Sequence, residues 1–356
     1  MRKESFEFFE RYLNNASPVG FEISGQKLWL DYIEPYVDTC FSDTYGTAVG
    51  VINPEAEYKV AIEAHADEIS WYVSHITSEG MLNVVRNGYT DHQIAPAKRV
   101  NIHTKNGIVK GVFAWPSIQI RNKKSDQGLS LSDLSIDCGC DSAKEVEKLG
   151  IHVGTVITYE DSFMVMNGKY YTGRGMDNRA GGFIIAEVAR MLHETKKKPK
   201  FGVYIVNSVQ EETGLSGAKM IAENIRPNVA IVTDVIHDTQ HPNYTKATDG
   251  DIKCGKGPVV SFAPAVHRNL LQMLIDTAKK IKVPYQLKAA SQETYTDTEA
   301  FAYSNRGVAS ALISLPLKYM HTTVEIAHKD DIQNAIKLFY EFLVQLKSGT
   351  DFKYLK

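Results

Sequence analysis

Phe201-Gly202-Val203-Tyr204-Ile205-Val206-Asn207-Ser208-Val209-Gln210-Glu211-Glu212-Thr213-Gly214 is the stretch whose reading decides the fold. Phe201 to Val209 is rich in apolar and β-prone side chains and reads as a core strand, ending abruptly on two adjacent carboxylates and a glycine turn. Upstream, a helical stripe of Phe183, Ile184, Ala186, Val188, Ala189 and Leu192 stops at Lys196-Lys197-Lys198-Pro199. Downstream, a helix over Leu215 to Ile225 stops at Pro227, and Val229 to Asp234 is a second strand that ends on a carboxylate. Alternating helix and strand is the pattern of a mostly parallel sheet. In such sheets the ligand site lies beyond the carboxyl ends of the strands.

The same pattern continues towards both termini. Residues 3–14 carry Phe6, Phe9, Tyr12 and Leu13 at helical spacing, and a second helix is expected from Gln26 to Tyr36, stopped or bent near Pro35. Gly46 to Ile52 and Tyr58 to His65 read as strands, the second running straight into Ala66-Asp67-Glu68-Ile69-Ser70. Later come a helix over 269–281, a strand over 284–289 and a short helix after Thr296-Asp297. Ala309 to Leu315 is a strand that delivers Tyr319-Met320-His321, and a last helix over 329–347 is capped by Asp330-Asp331. The polar segment from Asp238 to Gly257 is expected to line a cleft.

From Trp71 to Met166 the texture changes to short β-rich runs, with helical character only over Ser142 to Leu149. The polar segment Asn122 to Gly128 within it reads as a mobile loop. The expected fold class is therefore α/β: a mixed sheet of mostly parallel strands with helices on both faces, plus an inserted small β-rich domain. The expected division is residues 1–71 with 167–356 for the larger domain and 72–166 for the insert.

A chain of 356 residues with 43% hydrophobic and 23% charged side chains has the composition of an ordinary globular protein of about two domains. A formal charge of −2 gives no electrostatic case for nucleic acid or an anionic membrane. No run reaches the length of a membrane span, and the N-terminus mixes acids into its apolar stripe, unlike a signal peptide. Of Cys40, Cys138, Cys140 and Cys254 only two are close, at a spacing of neither zinc nor redox type. Reduced thiols and a cytoplasmic location are expected.

Chemistry concentrates at the strand ends: His65 with Asp67, Glu211 with Glu212, Asp234, and His321. Asp177 stands among them within Gly173-Arg174-Gly175-Met176-Asp177-Asn178-Arg179-Ala180-Gly181-Gly182, where an Asp after a glycine turn is an ordinary helix cap. Singly, each is an ordinary exposed polar residue. Jointly, histidine with carboxylate suits zinc first, and cobalt or manganese as well, and two such ions can share one carboxylate. His65 and Asp67 face the same side of an extended strand, so Asp67 can accept the second ring N–H of a metal-bound His65. Of Glu211 and Glu212, one can ligate a metal while the other serves as general base. Among the other histidines only His237 lies near a candidate ligand, and it reads as a surface or core-satisfied histidine.

These motifs carry a resemblance. Ala64-His65-Ala66-Asp67-Glu68-Ile69, Gly175-Met176-Asp177-Asn178-Arg179, Gln210-Glu211-Glu212-Thr213-Gly214, Thr233-Asp234 and Leu315-Pro316-Leu317-Lys318-Tyr319-Met320-His321-Thr322 resemble, in order, the M42 family of dinuclear metallo-aminopeptidases. Its members are called glutamyl or deblocking aminopeptidases and, in some genomes, cellulases or endoglucanases. The resemblance implies two divalent metal ions per subunit, one held by His65, Asp177 and Asp234, the other by Asp177, Glu212 and His321. It implies Glu211 as general base and Asp67 as the partner of His65, with peptides bearing a free N-terminus as substrates. It also implies a homo-oligomer, up to a tetrahedral dodecamer, to which the inserted domain contributes. Ser70 stands where the family usually has Gly, and Trp115-Pro116-Ser117-Ile118 where relatives often carry Pro-Pro-His. Two other classes stand beside this one: a glycoside hydrolase working through paired carboxylates without metal, for which 3 Trp offer few sugar platforms, and a non-catalytic binding member of the fold.

Overall fold

The computed structural model describes residues 1–121 and 128–355, so the expected loop over 122–128 lies outside them except for Gly128. Four parallel strands form the centre of the large sheet, in the order Gly202–Ser208, Lys59–His65, Val229–His237, Ala309–Lys318. Their register is in step: Val203, Val60 and Val229 lie abreast, as do Ser208 with His65 and Asp234 with Ser314. Parallel strands in step end at one edge, so the residues that follow each are delivered to the same place.

On both flanks of this centre the sheet is antiparallel, and a branch from Ala309–Lys318 adds Val259–Phe262 antiparallel to it and Gln286–Ala289 parallel to that, so the sheet as a whole is mixed. Thr39–Ser42 and Ala48–Ile52 extend one side; Glu325–His328, Tyr170–Gly173 and Met164–Met166 extend the other. The four-residue and shorter edge strands have too few alternations to be read from sequence. Helices cover both faces, as neighbouring strand residues show. Asn207 bonds Tyr12 and Gln26 of the N-terminal helices, while Ser208 points the opposite way and bonds Asp297 at the head of Thr298–Ala302.

Two helix boundaries differ from expectation. The second helix spans Ile23–Ile33 and passes into one 3-10 turn over Glu34–Tyr36, because Pro35 cannot supply the N–H that would continue the α-helix. The last helix, Lys329–Gln345, is capped by the His328 ring rather than by Asp330-Asp331. Asp331 is fully buried and accepts the N–H groups of Gly255 and Gly257, at 2.6 and 2.7 Å. That anchor holds the end of the 238–257 segment against the helix, and the cleft wall is built instead by residues 288–296.

Six antiparallel strands between Ser70 and Tyr159 close into a small barrel around Trp71, Leu82, Ile102, Phe113 and Ile157. Its one α-helix among the described residues, Ala143–Lys148, is capped by Ser142.

Beneath the edge where the strands end, Glu68 is paired with both Arg174 and Arg179, and all three are buried. Arg179 Nη2 donates to Glu68 at 2.9 Å and its Nη1 to the Tyr12 carbonyl at 3.1 Å, tying the first helix to the same point. Gly175, at φ 62°, leaves the room for this guanidinium: a Cβ there would meet Arg179 Nη2 at 2.0 Å. Burial alone would raise the Glu68 carboxyl, but the guanidiniums of Arg174 and Arg179 prevail and hold it below the ordinary carboxylate range. A depressed folded-state value means stability that is present above the ordinary pKa and lost as pH falls through the folded one. Glu68→Ala leaves two buried cations without their anion and should cost about 3–5 kcal/mol in urea unfolding at neutral pH. The gap to the wild type should narrow as the solution is acidified; a variant that unfolds with the wild type at pH 7 would show the cluster to be unimportant for stability.

Candidate metal centre

The four strand ends and the 173–178 turn bring six of the seven singled-out residues to one cleft edge, with Asp67 buried behind the turn that carries the two glutamates. His65 Nε2 lies 3.1 Å from Asp177 Oδ1, 3.7 Å from Asp234 Oδ1 and 4.0 Å from Glu211 Oε2. His321 Nε2 lies 3.3 Å from both Asp177 Oδ2 and Glu212 Oε1. Two groups result, His65–Asp177–Asp234 and Asp177–Glu212–His321, each with its donor atoms within 4.8 Å of one another. Asp177 belongs to both, one oxygen towards each histidine.

Asp177 does not cap the helix it opens. The cap is made by Asn178, whose Oδ1 accepts the N–H of Gly181 at 3.1 Å and whose Nδ2 donates to the Thr233 carbonyl at 2.7 Å. Asp177 and Asn178 have non-helical backbone angles and a cis peptide bond between them. Gly182 lets the helix approach the sheet, since a Cβ there would meet Asn207 Oδ1 at 2.9 Å.

Asp67 is fully buried, and its oxygens accept the backbone N–H groups of Glu211 and Glu212 at 3.0 and 3.1 Å. Its contact with His65 Nδ1 is longer, 3.4 Å, beyond the usual range of a good hydrogen bond. Asp67 therefore grips the turn that presents the two glutamates, a role the His-x-Asp spacing does not reveal.

The electrostatics are those of an acid-rich pocket. Burial pushes Glu212 up to about 7 against the His321 hydrogen bond, and Asp234 up to about 6 against that of His65. Glu211 rises to about 11, driven by burial and opposed by His65, with Asp234, Asp297 and Glu212 adding to the rise. Asp177 goes the other way: burial opposes ionisation, but the hydrogen bonds from His321 and His65 hold it below the usual carboxylate range. Burial works against a charged His321, yet its bonds to Asp177 and Glu212 raise it to about 11. Left to itself, the site charges both histidines, keeps Asp177 ionised between them and holds the Glu211 carboxyl protonated. Divalent cations would satisfy the same carboxylates and leave the imidazoles neutral, which is the state in which they ligate. The donor set fits two such ions sharing Asp177.

Sequence reasoning missed three buried acids near this centre. Glu63, two residues before His65 on the same strand, and Asp297 flank the Ser208 hydroxyl at 2.6 and 2.8 Å. The acid inside the apolar run Val60-Ala61-Ile62-Glu63 was a usable signal, since a buried carboxylate needs partners. Glu325 accepts backbone N–H groups from both Asp177 and His321. No local pattern marks it.

The centre opens into a cleft of about 1750 Å³. The barrel lines part of it through Arg86, Gly88 and Tyr89, and residues 288–296 line another wall. His237 lies at the rim, exposed, as expected.

A family model described as M42 glutamyl aminopeptidase matches residues 46–338. The lysyl aminopeptidase of Pyrococcus furiosus is 30% identical over 345 residues, spanning 96% of this chain and 97% of that protein. Among solved structures, a TET aminopeptidase from a marine sediment archaeon of the Thaumarchaeota superposes with a TM-score of 0.92 at 28% identity, covering 97% of each chain. The TET1 peptidase of Pyrococcus horikoshii, which assembles into a tetrahedron or a large octahedral shell, gives 0.85 at 27% identity over 96% of this chain and all of that one.

Asp67→Ala would strip the Glu211 and Glu212 amides of their acceptors, at about 1–3 kcal/mol for each donor left buried and unmade. Amide hydrogen exchange in a peptide covering 209–214 should quicken selectively. Protection equal to the wild type there would show that Asp67 does not hold the turn.

Proposed function

The chain belongs to the M42 glutamyl aminopeptidase family, and from that premise we propose that it is a metal-dependent aminopeptidase that removes N-terminal residues from peptides, using two divalent ions held across Asp177. The observation that carries this reading is the sharing of Asp177 between two His-and-carboxylate groups, with Glu211 beside them. His65, Asp177 and Asp234 would hold one ion, and Asp177, Glu212 and His321 the other; zinc is the first choice for such donors, with cobalt and manganese also suited. Bound there, the ions would supply Lewis-acid polarisation of the scissile carbonyl and a more acidic water.

The chain's own residues do the rest. Glu211 lines the cleft with its Oε2 4.0 Å from His65 Nε2, where it can take the proton of an attacking water and hand it to the leaving amine. A base must be ionised, and positive charge in the donor groups is what lowers a carboxyl held up by burial and by neighbouring acids. Asp67 keeps Glu211 and Glu212 pointing apart by holding both of their backbone amides. The cleft accepts an extended peptide beside this pair.

For domain organisation, the proposed division is 1–71 with 167–356 for catalysis and 72–166 for the barrel unit, whose Arg86 and Tyr89 add to the cleft. Self-assembly into a homo-oligomer is proposed on the likeness to the TET1 peptidase of P. horikoshii. A cytoplasmic setting is proposed on four cysteines that are all free among the described residues. No helix among those residues is long and apolar enough to cross a membrane.

Three outcomes are expected. Glu211→Gln should keep both metals, measured by elemental analysis, and lose about a hundred- to ten-thousand-fold in kcat on aminoacyl p-nitroanilides, the usual share of a general base. Retained turnover would remove Glu211 from that role. Asp177→Asn should lose both metals together; loss of one alone would break the bridging assignment. Chelation should abolish peptide hydrolysis and zinc, cobalt or manganese restore it, whereas a metal-independent glycosidase would retain activity on cellulose after the same treatment.

A further inference from the structure

Glu325 belongs to neither donor group, yet it holds two members of one of them from behind. It opens the strand Glu325–His328, whose antiparallel partner Tyr170–Gly173 places Gly173 opposite it. That register sets Glu325 beside the turn that leads to Asp177. His321 lies four residues upstream, in the loop that joins Ala309–Lys318 to the same strand. The side chain is 2% exposed. Its Oε1 accepts the backbone N–H of His321 at 2.8 Å, and its Oε2 accepts that of Asp177 at 3.2 Å. Each oxygen serves one ligand-bearing residue.

The loop needs such support. Tyr319 and His321 both lie in the left-handed region, at φ 58° and 60°, which residues with a Cβ adopt only when their surroundings impose it. The Thr322 hydroxyl secures the outer side of the loop through the Tyr319 carbonyl and the Val324 N–H. The His321 N–H, facing inward, is left to Glu325.

We infer that Glu325 is a positioning residue that sets the separation of Asp177 from His321, and with it the geometry of the Asp177–Glu212–His321 group. The inference rests on reading that group as a metal site. A carboxylate is suited to this task because it presents two acceptor oxygens at a fixed spacing and no donor. An amide in its place keeps one acceptor and turns an N–H₂ towards the second N–H. Groups that orient a ligand from behind typically govern 10- to 100-fold in metal affinity. The plainer role, closing the 319–325 loop, would affect folding and would not distinguish one donor group from the other.

The test is a cobalt titration of the metal-free, full-length chain and of its E325Q variant, followed by calorimetry and by the visible spectrum of bound cobalt. Two ions bound by the wild type are required by the underlying reading; a wild type that does not bind two removes that reading, whatever the variant does. Given two, E325Q should bind the ion of the Asp177–Glu212–His321 group, where both held residues sit, about 10- to 100-fold more weakly with an altered spectrum, and the ion that shares only Asp177 with it by a smaller factor. The thermal unfolding of its metal-free form should stay near the wild type. Unaltered affinities and spectra for both ions overturn the inference, and so does an equal loss at both sites accompanied by a lower unfolding temperature. Should E325Q fail to fold, hydrogen exchange on the wild type decides. Protection of a peptide over 319–324 supports the clamp, and exchange at the rate of an unbonded loop refutes it.

Discussion

One carboxylate faces two imidazoles: Asp177 lies 3.1 Å from His65 and 3.3 Å from His321. Much of the architecture around the sheet edge is arranged so that this is possible. Asp177 is buried, and a buried acid at the crossing of two loops is stable only if the backbone that carries it is held on every side. Asn178 takes over the capping of the following helix, which frees Asp177 to turn away from it. Arg174 and Arg179 anchor the flanks of the turn to Glu68, itself three residues from His65. Glu325 holds the Asp177 amide from the far side.

The surrounding charge follows from the same arrangement. Glu211, Glu212 and Asp234 crowd around two histidines, and burial penalises the ionised form of each. Asp177, bonded by both histidines, and Glu68, bonded by both arginines, are held below the ordinary carboxylate range, whereas Asp234 and Glu212, with one histidine each, are not. An acid cluster of this kind is poised for cations rather than for an apolar ligand. The Glu68 ion group is different in kind, since its carboxylate already has two guanidinium partners and its work is to fasten the first helix, the 65–68 strand end and the 174–179 turn together.

The barrel and the long 238–257 segment show how placement can depart from composition. A polar, glycine-containing segment suits a cleft wall, yet Asp331 draws Gly255 and Gly257 away to the last helix. The wall is built by 288–296, whose sequence carries no feature of its own to announce it. The barrel, legible in sequence only as a change of texture, supplies Gly88, at φ 81°, where a Cβ would come within 3.4 Å of Glu212 Cβ. The inserted unit is thus part of the site.

The sequence by itself determined the alternation of strands and helices, the edge at which the strands end, and the seven polar residues delivered there. These were legible because apolar periodicity is local, and because parallel strands oblige their following residues to meet. Tertiary structure alone decided what holds those residues in place. Glu68 and Arg174 are 106 positions apart, and Asp177 and Glu325 are 148. No periodicity links residues at such separations, and a buried carboxylate among apolar neighbours signals only that it must have a partner. Which partner it finds, and therefore that Asp67 grips the glutamates and Asn178 rather than Asp177 caps the helix, depends on how the loops at the sheet edge pack together.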